Sequence, residues 1–133
     1  MSSILKVTAL LSIVLFFQAQ AQAQAKSLLS GNIKVMPLER FSLKQQVPAM
    51  DGYDIRARRI IVPAGASIGE HEHSKRAGIV YVESGSIIEY RGDQQRTLNA
   101  GDSLVEDFTT VHGYKNVSES DCVLIAFDLP KQG

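Results

Sequence analysis

The chain has 133 residues, with 14 Lys plus Arg against 14 Asp plus Glu, which suits one domain of zero formal net charge. That balance excludes a broadly basic face for nucleic acid and a Lys/Arg block for anionic lipid. Aromatic residues make up 7% and tryptophan is absent, which argues against a large stacking platform.

The first 25 residues read as a secretory signal peptide. One charge, Lys6, precedes an apolar run from Val7 to Phe17, and overlapping Ala-Gln-Ala sites end at Ala21, Ala23 and Ala25. A retained membrane anchor is the alternative, but the run is short for a bilayer span and the cleavage sites are good. No cysteine stands directly after the run, so a lipoprotein anchor is not indicated, and no Arg pair precedes it. The expectation is a periplasmic or secreted protein without a stable membrane anchor, cleaved after Ala25.

Residues 26–52 read as an N-terminal arm. Prolines and glycines interrupt it and its periodicity is weak, which leaves one short strand around Ile33 to Met36. From Tyr53 the text changes. The runs 53–62, 67–73, 78–83, 86–91, 96–100, 103–108, 111–117 and 122–129 are short and rich in β-branched and aromatic residues. Turn signals separate them at Pro63-Ala64-Gly65, Ser84-Gly85, Arg91-Gly92-Asp93 and Ala100-Gly101-Asp102. This predicts an all-β domain over 53–133, an antiparallel sandwich or barrel. Cys122 is the sole cysteine and sits in an apolar run, so it reads as a buried, inert thiol and no intrachain disulfide exists.

Two of the three histidines, His71 and His73, lie one residue apart on a predicted strand. Residues i and i+2 of a strand share a face, so both rings would reach one ion, with Glu70 and Glu72 turned outward. His112, on another predicted strand, would complete a three-imidazole set with open positions. By itself a His-x-His pair is weak, since exposed strands often carry one.

The surrounding glycines add a second signal. The chain resembles the cupin superfamily, whose first motif runs G-x5-H-x-H-x4-E-x6-G and whose second runs G-x5-P-x-G-x2-H-x3-N. Gly65, His71, His73 and Gly85 fall on the first; Gly101, His112 and Asn116 fall on the second. The resemblance implies a small single-domain jelly-roll barrel, a double-stranded β-helix, with His71, His73 and His112 as ligands of a divalent transition metal. Imidazoles accept Fe, Zn, Cu, Ni or Mn without choosing among them.

The chain departs from the motifs at three positions. Gly78 stands where the family has its glutamate ligand, Asp107 replaces the proline and Thr109 the glycine. A three-histidine variant would leave the cation uncompensated and free one more position, which suits a non-haem iron dioxygenase acting on a small ligand. Gly78 would then widen the cavity beside the metal; alternatively it only relieves crowding within the strand. Two classes compete with the oxygenase: a non-catalytic metal- or small-ligand-binding module, and a metal-dependent isomerase or lyase. Tyr114 shares the inward face with His112 if the strand is regular. It would position a substrate or serve as a core aromatic. Arg76, after His73, would hold a substrate carboxylate at the cavity mouth or lie exposed in a loop. The facing of Glu106 and Asp107 is not legible. The expected partner is a small-molecule ligand rather than nucleic acid, and the resemblance also implies a homodimer.

Overall fold

The computed structural model describes residues 28–132. The signal peptide expected at 1–25 lies outside them. Ten strands make two five-stranded sheets that face one another across a common core. In chain order they are β1 (Leu29–Ser30), β2 (Lys34–Ser42), β3 (Asp54–Val62), β4 (Ser67–Glu72), β5 (Arg76–Ser84), β6 (Ser86–Arg91), β7 (Gln94–Asn99), β8 (Ser103–Glu106), β9 (Val111–Lys115) and β10 (Cys122–Pro130). One sheet has the order β1-β4-β9-β6-β7 and the other β2-β3-β10-β5-β8, and every pairing is antiparallel. From β3 to β6 the chain alternates between the sheets, as a jelly roll does. The tight β6–β7 turn uses Gly92 at φ 55°, a left-handed conformation that a side chain would disfavour.

The eight strands expected after Tyr53 are all present, with ends differing by two residues or fewer. The arm differs more. The single short strand expected near Ile33 extends to Ser42 and pairs with β3 from Lys34↔Ile61 to Ser42↔Asp54. Every residue of β2 is exposed, so it carries no alternation of buried and open positions to read. Pro37 sits at a register shift on this edge strand, where a missing N–H is tolerated.

Sheet register sorts the interior into rows. Across β3, β10 and β5 the inward row Ile60–Leu124–Val82 is apolar. The next row, Arg58–Ala126–Val80–Leu104, mixes one cation with apolar neighbours. The third, Arg56–Asp128–Gly78–Glu106, is charged. The barrel is therefore dry at one end and ionic at the other, and the histidines lie towards the ionic end.

Cys122 is fully buried, and burial pushes its thiol pKa up to about 11. It is inert, as its apolar run implied.

Candidate metal centre

His71 reaches the interior through a backbone irregularity. Ile68 is buried opposite Tyr114, and regular alternation from Ile68 would send residue 71 outward. Between Ile68↔Tyr114 and His71↔His112 the β4 strand carries one extra residue. A β-bulge of this kind re-aims the side chains beyond it. Gly113 makes room for the bulge: a Cβ there would lie 3.0 Å from Ile68 O and 3.3 Å from Glu70 N. Glu70 and Glu72 are exposed, as strand parity predicts. His73 follows β4, and its N–H donates to Thr110 O at 3.0 Å.

The turn before His112 is built without the motif's proline and glycine. Asp107 Oδ1 accepts from Thr109 N at 2.9 Å, from Thr109 Oγ1 at 2.7 Å and from Thr110 Oγ1 at 3.0 Å. These bonds replace covalent stiffness with an Asx-type turn. Buried Asn116 anchors the far end of β9, donating to Val62 O and Ser120 O at 2.8 Å each.

The three imidazoles close into a nearly equilateral triangle, with ring centroids 4.8, 4.9 and 5.0 Å apart. Each has its Nδ1 against an acceptor. His71 Nδ1–H donates to Gly69 O at 2.9 Å, His73 Nδ1–H to Arg76 O at 3.1 Å and His112 Nδ1–H to Glu89 Oε1 at 2.8 Å. Carbonyl and carboxylate oxygens only accept, so Nδ1 carries the proton and a neutral ring keeps its Nε2 lone pair free. Burial, the largest influence, holds His71 down to about 4 and lowers His73 as well, so both rings are neutral at neutral pH.

This donor set fits a divalent transition metal. One ligand atom from each histidine lies within 4.8 Å of the others. His73 Nε2 and His112 Nε2 stand 3.1 Å apart. Two lone pairs facing at that distance repel unless a proton or a cation lies between them. Two nitrogens bound at ~2.1 Å to one ion stand roughly 3.0–3.4 Å apart. The His112–Glu89 bond is the carboxylate–histidine pairing that fixes tautomer and ring orientation in metal sites. Glu89 is 3% exposed and is also bonded by Arg91 Nε at 2.6 Å.

Gly78 leaves no open space for a side chain. A Cβ there would meet Phe127 O at less than contact distance and Asp128 Cβ at 2.9 Å. The glycine permits close approach of β5 and β10, so the crowding explanation holds and the cavity-widening one does not. The carboxylate that the motif lacks is supplied from the next strand. Gly78 is the register partner of Glu106 on β8, and directly opposed residues project from the same face. Glu106 Oε1 lies 3.3 Å from His112 Nε2, and Oε2 lies 3.5 Å from His73 Nδ1. Burial alone would raise the Glu106 pKa; the balance of its contacts, among them the Tyr114 hydroxyl that donates to Oε1, holds it below the ordinary value instead. The expectation of a site with no anionic residue beside it is thereby corrected. The sequence signal was the parity of β8: Leu104 faces inward, so Glu106 does too.

Tyr114 is inward, as predicted, and 3% exposed. Its hydroxyl donates to Glu106 Oε1 at 2.9 Å, and its ring packs edge-on against His112 at 4.7 Å. Burial foremost, then the Glu106 charge, raises its pKa, so it remains a donor that holds Glu106 in place. Arg76 opens β5 rather than lying in a loop. It lines, with Tyr114, a cavity of about 290 Å³ whose wall also includes His71, His73, Glu106 and Arg58. A larger surface hollow of about 560 Å³ beside Glu89 contains none of the histidines.

Gly78→Glu is expected to destabilise the protein by about 1–3 kcal/mol, the usual range for overpacking, or by more, because the atom it meets is backbone. Metal affinity should not rise. Thermal melts and metal titration of the variant check this; a stable Gly78→Glu protein with tighter metal binding would restore the open-position view.

The cupin domain family matches residues 58–128. Among solved structures, the chain is similar to KdgF from a Halomonas species (TM-score 0.61, 23% identity, covering 75% of this chain and 80% of that one). It is similar to the Cupin_2 domain of an XRE family transcriptional regulator from Enterobacter cloacae (TM-score 0.57, 20% identity, 74% and 96% covered). It is also similar to a predicted oxalate decarboxylase from Thermotoga maritima (TM-score 0.52, 20% identity, 73% and 94% covered). At these identities the likeness concerns the fold. No curated protein matches the chain in sequence.

Proposed function

The chain belongs to the cupin family, and we propose that it is a divalent-metal protein of the periplasm or the cell exterior that acts on a small organic ligand in its barrel cavity, with an oxygen-using reaction at iron as the leading activity. One observation carries the metal reading: three imidazoles, two buried and one half-buried, with their Nδ1 atoms engaged each bring a ligand nitrogen within 4.8 Å of the others. A bound divalent metal would supply a Lewis-acidic and, for iron, redox-active coordination point. The chain's own residues do the rest. His71, His73 and His112 would hold the ion, Glu89 orients His112, and Tyr114 fixes Glu106 beside the ligand atoms. Glu106 places one negative charge at the site, so the attraction of an anionic substrate falls more on the arginines of the cavity than on an uncompensated cation. The apolar walls Ile60, Val80 and Leu124 keep water from the bound ligand.

Export is supported by the segment Met1–Ala25, and intact-mass measurement of the mature protein would show it. The activity is tested by metal analysis of protein purified from its own compartment, followed by oxygen uptake across a panel of small organic compounds. Bound metal with substrate-dependent oxygen uptake supports the reading. Substrate conversion without oxygen uptake replaces it with Lewis-acid isomerase or lyase chemistry. Protein that neither carries nor takes up metal overturns it.

A further inference from the structure

We propose that the cavity binds a small carboxylate, its anionic group held by Arg58 and Arg76 and its apolar part lying against Ile60, Val80 and Leu124. The inference rests on reading this cavity as the ligand site and adds the chemical class of the ligand.

Charge around Asp128 is unbalanced. Arg56 grips this carboxylate with two bonds, Nε to Oδ1 at 2.9 Å and Nη2 to Oδ2 at 2.7 Å. Arg58 Nη2 adds a third at 2.8 Å. Arg76 Nη1 stands 3.7 Å away, beyond hydrogen-bond distance. Three guanidinium groups thus share this carboxylate, and Arg56 takes the larger part of it; Glu106 in the same cavity wall offsets one charge, which leaves three cations against two carboxylates. The side chains of Arg58 and Arg76 are only 19% and 28% exposed, so water neutralises them incompletely. Arg58 Nε is buried and has no hydrogen-bond partner among the described residues. A buried donor left unmade costs about 1–3 kcal/mol, more for a charged group, so Arg58 Nε has a strong demand for an acceptor.

Arg58 and Arg76 both line the 290 Å³ cavity, in company with His71 and His73. The other walls are apolar. This is the layout of a site for a molecule with one charged end and one greasy end, smaller than the ligands of the ~300–1,000 Å³ pockets that take drug-sized molecules. A planar guanidinium pairs best with a planar two-oxygen group, and that selects a carboxylate.

The test uses the full-length mature protein, metal-free and zinc-loaded, titrated calorimetrically with pentanoate, pentanamide and inorganic phosphate. Pentanoate should bind, and the uncharged amide and the phosphate should bind far more weakly. Arg76→Gln and Arg58→Gln should each weaken pentanoate by roughly ten- to a hundredfold, the range for a lost charged hydrogen bond. Arg76→Lys, which keeps the charge and loses the fork, should recover only part of the loss. Arg76 makes no close contact with Asp128, so its variants report even where Arg58→Gln folds poorly. Equal pentanoate affinity in wild type and Arg76→Gln overturns the proposal, as does amide or phosphate binding as tight as pentanoate. Failure of the metal reading is distinct: zinc would not bind, while metal-free protein would still take pentanoate through the arginines.

Discussion

Asp128→Ala is expected to destabilise the protein by about 3 kcal/mol, the low end of the 3–5 kcal/mol that breaking a buried ion pair costs. Its side chain is 1% exposed and stands within 2.9 Å of Arg56 and Arg58. Removing it leaves three cations facing one another across β3, β10 and β5. The low end applies because those arginines retain some exposure and can turn partly to water. For a domain of this size the loss corresponds to roughly 10–20 °C in melting temperature. Acid should narrow the gap. Burial by itself would raise the Asp128 pKa, but the Arg56 hydrogen bonds and the charges of Arg58, Arg56 and Arg76 outweigh it and hold the pKa below its ordinary value. A group depressed in the folded state contributes fully above its unfolded pKa, ~3.9, and loses that contribution as pH falls through the folded value. Melts of wild type and variant between pH 3 and 7 should therefore differ by a constant amount near neutrality and converge below about pH 4. A variant as stable as wild type at pH 7 would show that the arginines reach solvent without cost.

His112→Ala is expected to abolish metal binding at concentrations that saturate the wild type. His112 is 0% exposed, and its Nε2 lies 3.1 Å from that of His73 and 3.3 Å from Glu106, at the centre of the donor set. Two comparison variants separate ligand loss from damage to the barrel. Glu89→Gln keeps the ring and weakens its orienting bond, and should reduce affinity by roughly 10–100-fold. Glu72→Ala changes an exposed residue on the outer side and should leave affinity unchanged. Zinc and iron(II) titrations measure the series, with melts of the metal-free proteins to establish folding. His112→Ala binding zinc as well as Glu72→Ala does would defeat the three-histidine centre.

The parts of this site that were legible in the chain are those set by local spacing. The glycine-punctuated strands after Tyr53 carry alternation strong enough to place each run, and Tyr114 follows His112 inward by simple parity. Where backbone irregularity intervenes, parity alone misleads. Counting from Ile68 would turn His71 to solvent, and only the bulge paired against Gly113 brings it in. β2 was legible only in part, because it buries nothing. Gly78 stayed open between two readings because a missing side chain looks the same whether it opens a cavity or admits a neighbouring backbone.

By itself, the sequence determined an all-β sandwich or barrel and the three imidazoles, because strand period, turn residues and histidine positions are properties of short segments. The tertiary structure alone decided the charges around them. Glu106 stands beside the histidines because β8 pairs with β5 in the register Gly78↔Glu106. Arg56 and Asp128 lie 72 residues apart in the chain and meet because β10 is inserted between β3 and β5. Alternation says which face of a strand a residue occupies. Which residues it meets on that face depends on strand order and register, and these are settled only when distant strands bury their apolar rows together.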